Sequence, residues 1–383
     1  MLYTPLYWSL FIANLLTVAS FGAFFLLPLF VVAHGGSKGD VGLTMGIFAC
    51  ASAFCRPWIA EMIDRYGRRR SYLVGGALMT FLPLCYLPLD GNLVDFIVPL
   101  LILRALHGIG LAICFTAVFT FVADVVPHSR LNEGVGIFGI SGLIGMATGP
   151  FIAEIILRQY GFAAFFVAAA LLAGVACCCI WPLPETKSPS AHLATQSFFE
   201  LLRQPKQATV GALSLLFGFG LAASGNFVAP LALERNLALV SLFFVAYSCA
   251  AILVRILAGG RADRLGEKRI LPWALLVFGT GLLSMIAVHT TGMLIGAGLI
   301  AGLGHGLLFP TLNAMAVRDQ PFNMRGKATA IFTGGIDGGI FIGSLLLGYI
   351  AEFAGLNGLF AIAGGAFFIG WGILRQRQQP AFS

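Results

Sequence analysis

A few ionisable residues in this chain sit inside long apolar runs, where charge is costly. Asp337 is the one acid placed near the middle of such a run, in Gly334-Gly335-Ile336-Asp337-Gly338-Gly339. A carboxylate at membrane depth is tolerated when protonated, paired or hydrated, which suits reversible proton binding. The alternative is an Asp hydrogen-bonded across a small-residue interface; the cost of charge at this depth favours the functional reading. Arg104 and His107 are three apart and share a helix face. Such an Arg can hold an anion or tune a proton site, and imidazoles titrate near neutral pH. His305 repeats the His107-Gly108 pair as His305-Gly306. For both histidines, titration and ancestral packing stand side by side as readings. The proton-coupling candidates are therefore Asp337, Arg104, His107 and His305. No phosphate-binding loop, nucleophile constellation or metal cluster accompanies them, so no cofactor or metal is expected and an enzyme is disfavoured.

These residues need membrane-length helices to hold them. The 383 residues are 58% hydrophobic and 10% charged, and apolar stretches of eighteen or more residues recur throughout. The pattern is continuous rather than alternating, which excludes a membrane β-barrel. The net charge of +7 lies in short loops and gives no nucleic-acid signal. The eight cysteines lie in apolar runs without disulfide or metal spacing. The first apolar segment is too long for a cleavable signal peptide and lacks a basic leader.

The fold expected is all-α and membrane-integral, with twelve transmembrane helices in two pseudo-symmetric six-helix bundles. The first six spans fall at about 7–33, 41–63, 71–89, 95–123, 134–158 and 162–182. The second six fall at about 208–232, 239–261, 270–289, 293–317, 327–352 and 357–375. This gives an N-terminal bundle over 1–182, a linker over 183–207 and a C-terminal bundle over 208–383. An amphipathic patch near Phe198 to Leu202 is expected to lie along the membrane surface.

The halves repeat. Arg56, Asp64 and Gly67 pair with Arg255, Asp263 and Gly266 at an offset of 199 residues. His107 pairs with His305, and Glu154 with Glu352, at 198. A repeat of about half the chain length is a common transporter construction. Of the 23 Lys and Arg, Lys38, Arg158 and Arg235 fall on one side, Arg56, Arg104 and Arg255 within spans, and the remaining seventeen on the other side. The positive-inside rule then puts both termini in the cytoplasm. Arg56 and Arg255 lie late in their helices, where they can snorkel or pair with loop acids, and they read as structural or gating residues. Asn14, Thr17 and Asn226 with Phe21 and Phe227 are cavity candidates, although polar residues also join helices.

The loop Asp64-Arg65-x-Gly67-Arg68-Arg69, with its second copy Asp263-Arg264-x-Gly266, resembles the signature loop of the major facilitator superfamily. Arg104 to Gly110 resembles the helix-four motif of its drug-antiporter branch, with His107 where Gln is common. Gly145-Met146-Ala147-Thr148-Gly149-Pro150 resembles the antiporter motif of helix five, with Ala153 where a further Gly is often found. Pro184-Glu185-Thr186 resembles the usual end of the first half. The resemblance implies two bundles that rock about a central cavity, a coupling role for Arg104, and gating roles for Asp64, Arg65, Gly67, Arg68 and their second-half counterparts.

The reading is a secondary active transporter of the inner membrane, monomeric and lipid-embedded. It is expected to export a small amphipathic organic compound, a drug or metabolite, in exchange for protons. One alternative is an importer or facilitator of a polar metabolite, which needs more hydrogen-bonding side chains in the cavity. Another is a non-transporting receptor or scaffold, against which the paired loops argue.

Overall fold

The computed structural model describes residues 3–127, 130–186, 198–321 and 324–378. Among them there are helices and turns and no strands. Helix α1 runs Pro5–Ala33 with a 3-10 turn at Phe24–Leu26; α2 is Lys38–Tyr66, α3 Arg68–Leu84 and α4 Leu93–Val125. The helix Leu131–Ile180 is broken at Gly161, whose φ of 76° and ψ of −173° leave the helical region. Its limbs are α5 (131–160) and α6 (162–180). A short helix, Phe198–Arg203, precedes α7 (Pro205–Glu234). Then follow α8 (Ser241–Leu265), α9 (Glu267–Ser284) and α10 (Thr291–Val317). The helix Arg325–Gln378 breaks at Gly355, with φ 70° and ψ 176°, into α11 (325–354) and α12 (356–378). The two Gly breaks turn ten long helices into twelve spans.

Local sequence explains the element boundaries. Thr4 caps α1 by accepting the Tyr7 N–H, with Pro5 at the first helical position, and Asn92 caps α4 by accepting from Val94. Large apolar side chains remain exposed along the outer faces, among them Phe54 (71%), Ile256 (65%) and Phe353 (88%). Water would not tolerate so much apolar surface, whereas lipid does. In the short helix before α7, Phe199 is exposed and Leu201 buried.

The chain divides into two compact units, Met1–Ser37 with Ile47–Ala191, and Lys38–Gly46 with His192–Ser383. In the first unit α1 packs on α5 at backbone distance. A Cβ added at Gly149 would lie 2.2 Å from the Ala19 carbonyl oxygen, and one at Gly145 2.6 Å from that of Leu15. In the second unit α7 packs on α11 likewise, with a Cβ at Gly339 only 2.0 Å from the Leu215 carbonyl oxygen. Small residues let these helices approach, since dispersion and polar contacts rather than the hydrophobic effect hold helices together in lipid. Gly145, Gly149 and Pro150 thus form the α1–α5 seam, Pro150 lying against Gly22.

Candidate functional site

The first unit gathers Arg104, His107 and aromatic rings into one buried cluster. Arg104 and His107 point from one face of α4, and both are buried. The Arg104 guanidinium carbon lies 4.4 Å from the centroid of Phe48 on α2 and 5.5 Å from that of Phe24 on α1. Ring faces carry negative charge density and stabilise the buried cation. The Tyr86 hydroxyl, in the turn after α3, lies against the same guanidinium. His107 meets Phe24 edge-to-face at 4.5 Å and Phe48 at 5.8 Å. Neither of its ring nitrogens has a hydrogen-bond partner among the described residues. Leaving a buried polar group unsatisfied costs about 1–3 kcal/mol.

The second unit builds a related cluster with different chemistry. Tyr247 stands one repeat after Phe48, and its hydroxyl is 2.6 Å from Nδ1 of His305. Phe309 stacks on His305 with centroids 5.9 Å apart, and Phe217 of α7 approaches edge-to-face at 5.1 Å. Gly302 holds the place one repeat after Arg104, and a Cβ there would lie 2.1 Å from the Tyr247 carbonyl oxygen. The cation comes instead from Arg255 of α8, 5.3 Å from the Phe309 centroid. Arg255, expected to snorkel or pair with a loop acid, has no carboxylate partner among the described residues.

Asp337 lies on α11, half-buried, between two unlike glycine faces. Gly335 and Gly339 pack on α7, while an added Cβ at Gly334 or Gly338 meets no atom within 4 Å. Helical spacing puts Asp337 with the open pair. The polar candidates on α1 and α7 join helices. Asn14 donates to Ser141 at 2.7 Å, Thr17 and the Tyr72 hydroxyl are 2.5 Å apart, and Asn226 donates to Ser344 at 2.7 Å. Phe21 stacks on Phe48 and stays half-buried, whereas Phe227 is fully buried.

The α2–α3 loop is fastened within its own unit. Gly67 adopts φ 100°, a region open to glycine. Arg68, 4% exposed, donates from Nε to Asp124 at 2.8 Å and lies 3.4 Å from Asp64. Glu185 accepts the backbone N–H groups of Arg69 and Arg70, each at 3.0 Å, at the positive end of α3. Arg65 lies exposed over Tyr66, and Arg56 is half-buried. In the second copy Gly266 repeats the positive φ at 76°. The side chains of Asp263 and Arg264 lie outside the described ones. No group of His, Cys, Asp and Glu among the described residues is arranged to hold a metal ion.

Sequence reading passed over Tyr86, Tyr247, Phe48 and Phe309. The signal for two of them was present, since Phe48 and Tyr247 stand at the same offset as the signature loops.

Comparison with known proteins places this geometry. A family model described as Major Facilitator Superfamily matches residues 9–238 and 210–381. An uncharacterised MFS-type transporter of Methanocaldococcus jannaschii is 25% identical over 358 residues, covering 88% of this chain and 90% of the relative. Multidrug resistance protein MdtG of Escherichia coli O1:K1 / APEC is 26% identical over 417 residues, covering 99% and 98%. Among solved structures, the nucleoside transporter NupG superposes with a TM-score of 0.77 at 13% identity, covering 98% of this chain and 100% of NupG. The human organic anion transporter MFSD10 superposes with a TM-score of 0.72 at 18% identity, covering 97% and 99%. With twelve membrane helices and a family model matched along nearly its whole length, the chain belongs to the Major Facilitator Superfamily, as a multi-pass membrane transporter of small molecules rather than an enzyme.

Proposed function

We propose that this transporter exports small amphipathic organic compounds, exchanging them for protons by alternating access. The observation that carries the reading is Asp337, a carboxylate midway along a membrane helix on the face where Gly334 and Gly338 leave open space. A group so placed can take up and release a proton as hydration changes, and an intramembrane acid is by default a functional residue. The relatives named multidrug resistance protein support export of an amphipathic compound. Arg104, His107 and His305 act as modulators. The residues 1–182 and 208–383 move as the two halves, joined by 183–207. The protein works as a monomer in the inner membrane with both termini in the cytoplasm, the orientation favoured by the loop cations.

Proteoliposomes containing the purified protein test this with two probes, ethidium as a cation and naphthalene-2-sulfonate as an anion. Movement of at least one probe against its concentration gradient, driven by an imposed pH gradient and stopped by collapsing it, is expected. Failure of both probes to move, or movement indifferent to the pH gradient, contradicts the proposal.

A further inference from the structure

We infer that the second unit contains a binding site for an amphipathic organic anion, an aromatic carboxylate or sulfonate. Its head group is held by Arg255 and its apolar part by the rings about Phe309. The inference rests on the export reading and adds the chemical class of the cargo.

Arg255 lacks the kind of partner that Arg68, Arg158, Arg318 and Arg235 have among the described residues. Arg68 is met by Asp64 and Asp124, Arg158 by Glu154 and Arg318 by Glu267, while Arg235 donates to backbone carbonyls. Arg255 lies in the apolar stretch Ser241–Leu257, half-buried. Its Nε is fully buried and has no hydrogen-bond partner among the described residues. A guanidinium stays charged in proteins, so one in an apolar stretch with no carboxylate partner among the described residues carries a cost that the Phe309 ring offsets only in part. An anion that enters removes that cost, which makes binding favourable.

The surroundings define what kind of anion. The guanidinium lies over the Phe309 ring, so its face is occupied, and its in-plane edge, whose Nε–H has no partner among the described residues, is left to meet a ligand. That planar fork matches the paired oxygens of a carboxylate or sulfonate. Phe309 also meets Phe332 of α11 at 5.1 Å and the His305 ring at 5.9 Å. These rings form an apolar wall fitted to an aromatic body rather than to inorganic phosphate. The Tyr247–His305 hydrogen bond holds the imidazole in place beside them. The first unit cannot supply the same site, because Arg104 lies fully buried between Phe24 and Phe48.

A lipid phosphate has the same head-group chemistry, and the test separates the two sources. Full-length protein in phosphatidylcholine nanodiscs is melted with increasing naphthalene-2-sulfonate or with the neutral naphthalene-2-sulfonamide. The sulfonamide partitions into lipid alike but lacks the charge. A ligand that binds only the folded protein raises Tm with its concentration. The sulfonate is expected to give a saturable rise and the sulfonamide none. Arg255→Gln should weaken sulfonate binding by about tenfold or more, equivalent to about 1.4 kcal/mol. Arg255→Lys, which keeps the charge and loses the fork, should fall between, and it serves should the Gln variant fail to fold. Phe309→Leu should weaken the sulfonate too. Equal Tm shifts from both compounds, or sulfonate binding unchanged in both Arg255 variants, overturn the site. So does stabilisation by phosphatidylglycerol that depends on Arg255 without any sulfonate response. Gradient-driven ethidium export without sulfonate binding removes the anion site and leaves export standing. Sulfonate binding dependent on Arg255, without gradient-driven flux of either probe, keeps the site and removes export.

Discussion

Arg68, at the start of α3, donates its Nε to the Asp124 carboxylate at the end of α4 across 2.8 Å, with the guanidinium 4% exposed. The contact ties the superfamily's signature loop to the helix that carries Arg104 and His107. Removing one partner of a mostly buried pair strands the other charge. Because Asp124 keeps some solvent contact and Asp64 shares the guanidinium, the loss should be moderate. Asp124→Asn is expected to cost about 1–3 kcal/mol, read as a lower Tm in detergent. An unchanged Tm would show that Asp64 alone suffices.

Two glycines that look alike in sequence should respond differently. Gly67 and Gly266 both hold positive φ, so alanine is strained at either, by about 1–3 kcal/mol. At Gly67 the new Cβ would also lie 2.3 Å from Oε1 of Glu185, displacing the carboxylate that caps α3. At Gly266 nothing lies within 4 Å. Gly67→Ala should therefore lower Tm more than Gly266→Ala, and equal shifts would contradict the capping role of Glu185.

Much of this was legible in the sequence, for stated reasons. Lipid requires every span to be helical and about twenty residues long, so hydropathy alone located the twelve helices. The clusters were only half legible. The repeat announced His107 and His305, but what surrounds them comes from helices far apart in sequence, such as Phe24 and Tyr86. Arg255 read as a residue that snorkels or pairs with a loop acid, and its position along α8 does not reveal the Phe309 ring that α10 places beneath it. Asn14 and Asn226 read as cavity polar groups, yet their hydroxyl partners Ser141 and Ser344 lie 127 and 118 residues away.

Arg235, legible only as one of three cations on its side of the membrane, fastens the end of α9. Its guanidinium donates to the carbonyls of Met285, Ile286 and Val288 and to Oδ1 of Asn357. Hydrogen bonds from a charged donor are the stronger kind. Arg235→Ala should cost about 2–4 kcal/mol, several such bonds being lost at once. Lys206→Ala, which loses one solvent-exposed pair with Asp319, should cost less. A reversed order in Tm would contradict the clamp.

At the start of α7, Lys206 donates to Asp319 at 2.5 Å, and this hydrogen bond first, then the lysine's charge, holds the Asp319 carboxyl below its usual value of 3.8. A carboxyl so lowered adds stability above its usual value and loses it as pH falls through the lowered one. The difference in Tm between wild type and Asp319→Asn should be small at pH 7, reduced by salt, and absent once the carboxyl is protonated. A difference that persists at acid pH would assign the effect to something other than this pair.

The central claim is that Asp337 binds the driving proton. Asp337→Asn mimics the protonated carboxyl. The variant should fold, bind the probe that the wild type moves uphill and still exchange it across the membrane. Gradient-driven flux in proteoliposomes, wild type against Asp337→Asn at equal protein, is the most direct measurement. The account predicts that pH-driven accumulation falls by at least about tenfold, the loss expected when an essential coupling group is removed. Accumulation undiminished in the variant would remove Asp337 from the mechanism and turn attention to His107 and His305.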